Sequence, residues 1–128
     1  MNRSEAHRLI SNYMQAWLDQ DLASLLATLD GDAVVRECYG PDYADRSQCE
    51  RWFTSWHAAG NRVTQWTLGS FAFDDSIETA AVEWEFTCWA DGCWHSFFGS
   101  SHVRFSDSRI IEINEYQMTK GRTTPHAR

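Results

Sequence analysis

Apolar residues recur three and four apart near the start of the chain: Ala6, Leu9, Ile10, Tyr13, Met14, Trp17 and Leu18. That spacing is one face of a helix over Ser4 to Asp19. A short second helix follows, capped by Asp21, with Leu22, Leu25, Leu26 and Leu29 as its stripe. Asp30-Gly31-Asp32 ends it, and Gly31 suits the left-handed position just past a helix terminus. "VVRECYGPDY", Val34 to Tyr43, then reads as a short strand that leaves the core at a Gly-Pro turn. Ser47 and Glu50 are spaced as a capping box for a third helix. Its stripe is Cys49, Trp52, Phe53 and Trp56, and Gly60 stops it.

Beyond Gly60 the period changes to two, so the rest reads as strand. In "RVTQWTLGSFAF", Trp66 and Leu68 share one parity and Phe71 and Phe73 the other. The slip at Gly69-Ser70 predicts a bulge. "TAAVEWEFTCWA" alternates and meets a two-residue hairpin turn at Asp91-Gly92. This turn sets Phe86 opposite Phe97, Cys88 opposite His95, Trp84 opposite Gly99, Val82 opposite Ser101 and Ala80 opposite Val103. All fall on the apolar side. Glu83 and Glu85 fall on the other side with His102 and Arg104, where opposite charges help pairing. "RIIEINEYQM" returns as a last strand after Asp107-Ser108. Two registers compete for it. A strict two-residue turn points Glu112, Asn114 and Tyr116 inward. A longer turn or a bulge points Ile111, Ile113, Glu115 and Gln117 inward, hides two isoleucines, and is the register adopted here.

These elements predict an α+β fold: three N-terminal helices, interrupted by one strand, on a strongly curved, mainly antiparallel sheet. The bend leaves a cone-shaped pocket able to hold a small molecule. One domain over residues 1–120 and a flexible tail over 121–128 account for the chain, whose 128 residues suit a single domain. Hydrophobic residues at 43% suffice for a core, and the seven tryptophans either fill it or line a pocket.

A net charge of -7 and scattered arginines argue against a nucleic-acid partner, which needs a basic stripe. No apolar run approaches the roughly 18 residues of a membrane span, and the first residues lack a signal-peptide block. The expectation is a soluble cytoplasmic protein. Cysteines at 38, 49, 88 and 93 have no C-x-x-C spacing and no His lies three to five residues from another, so no zinc site is expected; without a secretion signal, no disulfide is expected either. They read as four reduced thiols used as small core residues.

Three stretches carry a family resemblance: "YMQAWLDQDLASLLATLDGDAVVRECYG", "RWFTSW" and "FFGSSHVRFSDSRIIEINEY". The chain resembles the nuclear transport factor 2-like (cystatin-like) superfamily, in particular its SnoaL-like and ketosteroid isomerase-like small proteins. The resemblance implies that Tyr13 stands where the isomerases carry an oxyanion-binding tyrosine, and Glu37 where they carry a general-base aspartate. Their second oxyanion donor, a protonated aspartate, falls on Ser101. That departure argues against steroid isomerisation itself. "ECYGPDY" also looks like uncharacterised bacterial members, for which the resemblance implies a fold and no reaction.

The residues allow a site. On the parity of Val35 and Tyr39, Glu37 points into the cone, where burial raises its pKa toward that of a neutral-pH base. The alternative is a Glu37 turned outward or paired with an arginine. Tyr13 then either donates to a carbonyl oxygen or is plain core. Glu115 is the second inward carboxylate in the adopted register, near Ser101. Trp17, Tyr39, Trp52, Trp56 and Trp84 wall the pocket, which favours a small apolar or aromatic ligand. His57 reads as structural at the pocket edge, His95 as a cap on one end of the core, and Asp42 as turn chemistry on a rim loop. Trp89, Trp94 and Phe98 face outward and suit a homodimer through the sheet's outer face. Two function classes remain open: an isomerase, cyclase or dehydratase that uses its own side chains and no cofactor, or a ligand-binding or dimerisation module without turnover.

Overall fold

A computed structural model describes residues 1–126 of the chain. The first helix, α1 (Arg3–Asp19), begins where the Asn2 side chain accepts from the Glu5 amide at 2.8 Å, and ends at Gln20 in the left-handed region. It buries the stripe read from the sequence, Ala6 through Trp17. Asp21 caps α2 (Leu22–Thr28) by accepting from the Ser24 amide at 3.1 Å. This helix does not run to Gly31, and Gly31 is not left-handed. Leu29 instead opens the first strand, β1 (Leu29–Arg36), and is buried there, so the chain passes from helix to strand with no intervening loop.

A two-residue strand, β2 (Asp42–Tyr43), precedes α3 (Arg46–Ala58). The cap of α3 is Asp45, which accepts from the Gln48 amide at 2.8 Å while Gln48 Oε1 accepts from the Ala44 amide at 2.9 Å. The reciprocal logic of a capping box holds, but two residues earlier than Ser47 and with glutamine in place of Glu50. Ser47 accepts from Arg51 on the helix surface.

Four long strands follow: β3 (Arg62–Asp74), β4 (Thr79–Ala90), β5 (Cys93–Ser106) and β6 (Arg109–Gln117). The sheet order is β2-β1-β6-β5-β4-β3, with every pairing antiparallel except β1 with β6. The architecture is therefore α+β, three helices on a six-stranded mixed sheet. All five hairpin pairs expected for β4 and β5 are present. So is the bulge at Gly69-Ser70, and a second register shift lies between Val63 and Gln65.

Both registers weighed for the last strand are realised, each over part of it. The turn is the strict two-residue one, pairing Ser106 with Arg109 and fully burying Ile110 opposite Phe105. A bulge at Ile111 then resets the parity, so that Val103 faces Ile113 and Ser101 faces Glu115. Ile111 itself is only partly buried.

The charge pairing expected on the outer face goes elsewhere. Arg104 Nε donates to Glu112 at 2.8 Å, a carboxylate it shares with Arg36, and Glu83 accepts from Ser70. Only Cys49 and Cys88 are core thiols; Cys38 is half-buried and Cys93 exposed. Residues 121–126 form no helix or strand, and the last two residues of the expected tail lie outside the described region. Among the described residues no helix is long and apolar enough to cross a membrane.

Candidate active site

A cavity of about 200 Å³ lies between the helices and the inner face of the sheet. Trp17 of α1 and Trp52 and Trp56 of α3 form its helical side. Val63 and Trp66 of β3 and Trp84, Phe86 and Cys88 of β4 form its floor. Phe97, His95 and Ala90 continue it toward the hairpin end. The aromatic rings brace one another at steep angles: Trp17 meets Trp56 at 84°, and Trp66 meets Trp84 at 87°. Tyr43 stacks on Trp52 from outside, 4.1 Å between centroids and 8° from parallel. Such packing holds the walls in place.

Two carboxyl groups enter this apolar space, Glu37 and Glu115. The sheet explains why they meet. β1 runs parallel to β6 with Val35 opposite Ile113. Continued by two residues, that register sets Glu37 beside Glu115. Regular pairing stops at Arg36, but Glu37 keeps the inward parity of Ala33 and Val35, both fully buried. Its backbone is then held in a turn, its carbonyl accepting from the Gly40 amide at 3.0 Å and its amide donating to the Pro41 carbonyl at 3.3 Å.

Burial raises the pKa of Glu37. Glu115 is pushed up to about 8, first by burial and then by the charge of Glu37. The Ser101 hydroxyl, donating to Glu115 Oε2 at 3.5 Å, offsets a little of this. Ser101 in turn accepts from the Trp84 indole at 2.9 Å, so Trp84, Ser101 and Glu115 form a hydrogen-bonded line. At neutral pH Glu115 is mainly a neutral acid, and Glu37 is the member of the pair that more readily gives up its proton.

Not every residue expected at the site reaches the cavity. Tyr39 does not: it sits in the turn after Glu37 with φ of 101° and is 83% exposed. The strand ends three residues before it, so parity no longer governs its direction. Tyr13 and Ser101 are buried behind Glu115, in a narrow crevice shared with Trp66, rather than on the wall of the main cavity. The Tyr13 hydroxyl has no hydrogen-bond partner among the described residues, and burial together with Glu115 raises its pKa well above the ordinary value. Trp17, Trp52, Trp56 and Trp84 do line the cavity. His57 is off it, its Nδ1 bonded to the Phe53 carbonyl at 2.8 Å and its ring against Trp17. Asp42 faces Arg36 at 3.8 Å and is not on the cavity wall.

Sequence reasoning did not single out Trp66, Phe86, Cys88, His95 or Phe97 as wall residues. The signal for most of them was in hand: the hairpin register puts Phe86, Phe97, Cys88 and His95 on the same face as Trp84. Trp66 carried no such signal, because the bulge after it blurs the parity of β3. Cys38, also on the wall, lies past the strand end where no pattern applies.

A family model described as "SnoaL-like domain" matches residues 10–113. None of the curated proteins matches the chain in sequence. Among solved structures, a protein of unknown function with a cystatin-like fold from Methylobium petroleophilum PM1 is 23% identical, with a TM-score of 0.74 over 100% of this chain and 84% of that one. An LEH-like epoxide hydrolase from M. tuberculosis is 16% identical, with a TM-score of 0.77 over 90% and 84%. A proposed isomerase from Bacillus subtilis is 17% identical, with a TM-score of 0.79 over 92% and 90%. At these identities the likeness is one of fold.

The raised pKa of Glu115 has a consequence for stability. The folded carboxyl holds its proton more tightly than the unfolded one, so its contribution is full below about 4.5 and is lost as pH rises toward about 8. Glu115→Gln removes that loss. Urea unfolding across this range is expected to show E115Q gaining stability relative to the parent as pH rises. A difference that does not change with pH would contradict the assignment.

Proposed function

The chain belongs to the SnoaL-like domain family, and we propose that it is a small-molecule-binding member whose own side chains carry out acid–base chemistry on an apolar carbonyl compound. The observation that carries this reading is the pairing of two carboxyl groups with separated pKa values in one aromatic-walled cavity. The register shifts in β3 and the bulge in β6 support reading the sheet as bent into a cone around it.

In this mechanism the Glu37 carboxylate takes a proton from the carbon beside the carbonyl. The electron pair of the C–H bond moves onto the carbonyl oxygen. Glu115, still protonated, donates a hydrogen bond to that oxygen and stabilises the enolate. Glu115 thus supplies the acidic donor that Ser101 cannot, and Ser101 orients it. Returning the proton to a different carbon completes an isomerisation. Expelling a leaving group completes a dehydration. Attack of the enolate on a second carbonyl carbon completes a cyclisation. Two of the fold relatives bear the names of enzymes, a proposed isomerase and an LEH-like epoxide hydrolase, which supports reading the pocket as catalytic.

One observation favours a second reading, ligand binding without turnover. Tyr13, the oxyanion donor implied by the resemblance, stands behind Glu115 and not on the cavity wall. In either reading a homodimer through the sheet's outer face is proposed. Its support is the exposure there of Trp89, Trp94 and Phe98, at 37%, 62% and 48%.

Two measurements test this. Deuterium exchange into 2-tetralone beside its carbonyl, followed by NMR, is expected to be accelerated by the protein and to fall off as pH rises past about 8, where Glu115 ionises. Glu37→Gln is expected to reduce it by roughly 10²-fold or more, the usual share of a general base. Exchange that survives this substitution removes Glu37 from the mechanism, and no acceleration at all favours simple binding. Sedimentation is expected to return the mass of two chains; a single-chain mass at micromolar concentration rejects the dimer.

A further inference from the structure

The chemistry of the cavity wall is lopsided. Two carboxyl groups share the space, yet among the described residues no lysine or arginine lines it. His95 is the sole basic side chain there, and its Nε2 is already engaged with the Ala90 carbonyl at 3.2 Å and Cys93 Sγ at 3.3 Å. The rest of the wall is mainly aromatic and includes five tryptophans, of which Trp17 with Trp56 and Trp66 with Trp84 meet at steep angles. A hydrocarbon ligand would remove water from both carboxyls and return nothing to them. A cation matches both features at once, since it neutralises the carboxylates and is attracted to the faces of tryptophan rings.

We infer that the cavity is built to take a small organic cation, an alkylated ammonium group seated among Trp17, Trp52, Trp56 and Trp84 and beside Glu37 and Glu115. The inference rests on reading the cavity as a ligand site and not on the acid–base chemistry. A metal ion does not fit, because among the described residues no group of three or more His, Cys, Asp or Glu is placed to hold one. Two carboxylates fall short of the six or so oxygen ligands a hard cation needs. The net charge of -7 also draws cations toward the protein.

Binding of a cation carries a proton signature. The titratable groups facing Glu115 are Glu37 from the segment after β1 and Tyr13 from α1, with the Ser101 hydroxyl from β5 as its hydrogen-bond donor. Neither Glu37 nor Tyr13 can be a cation, so the protein offers Glu115 no positive partner from these elements. A bound ammonium group supplies one, and Glu115 then gives up its proton to solvent.

The probe pair is choline and its uncharged carbon counterpart, 3,3-dimethylbutan-1-ol, titrated by calorimetry and tryptophan fluorescence at pH 7. Choline is expected to bind roughly tenfold more tightly or better, the share assigned to charge and ring faces. Repeating the titration in buffers of different ionisation enthalpy is expected to reveal net proton release, which Glu115→Gln abolishes. Equal affinity for the two probes overturns the inference, as does choline binding without proton release by the unaltered protein, or no binding of either. Deuterium exchange into neutral 2-tetralone involves no cation, so it succeeds or fails independently of these outcomes.

Discussion

One additional residue in the pairing of β5 with β6 decides what the cavity contains. Phe105 faces Ile110 as a tight turn requires, and without a bulge the inward residues beyond would be Glu112, Asn114 and Tyr116. The bulge at Ile111 reverses that parity. Ile113 then joins Ile110 in the core, and Glu115 turns toward the helices in place of Asn114. Glu112, sent to the other face, finds Arg104 and Arg36. Both outcomes lower the energy, since Ile113 leaves water and a carboxylate that would be costly to bury gains two guanidinium partners. The cost is one buried carboxyl, that of Glu115. The fold keeps it by leaving it protonated.

The neighbours of Glu115 follow from the same sheet. Parallel pairing with β1 brings Glu37 alongside, and the β4–β5 hairpin brings Ser101 opposite, with Trp84 donating to Ser101. Gly99 permits this arrangement. A Cβ there would collide with the Trp84 ring and the Tyr116 carbonyl, so glycine is what lets the indole lie across β5. The floor of the cavity, the hydrogen-bonded line and the paired carboxyls are therefore one construction. The proposed acid–base role and the proposed preference for a cation both draw on its single property, a negative charge that the protein itself leaves without a partner.

Much of this was legible in the sequence. The α1 stripe, the Asp91-Gly92 turn with its five facing pairs, and the bulge at Gly69-Ser70 follow from periodicity and turn chemistry, which are local. Parity brings Glu37 inward, and it brings Glu115 inward once the bulged register of the last strand is adopted. What escaped depends on contacts far apart in the chain. The parallel pairing of β1 with β6 leaves no local trace, so the side-by-side placement of Glu37 and Glu115 could not be read. Tyr39 was misplaced because the strand ends at Arg36, and a turn can swing a side chain either way. The cap of α3 was set two residues late because Asp45 competes with Ser47, and the helix takes the first residue whose side chain reaches a free amide.

The claim beneath all of this is that Glu115 is held in the cavity as a neutral acid by burial and by its neighbour Glu37. Carbon-13 NMR of the glutamate carboxyls, with Glu115 assigned by its loss in E115Q, measures that directly. The account predicts a Glu115 titration near 8, falling when Glu37 is replaced by glutamine. A midpoint near the ordinary 4.5, unmoved by that replacement, would contradict it.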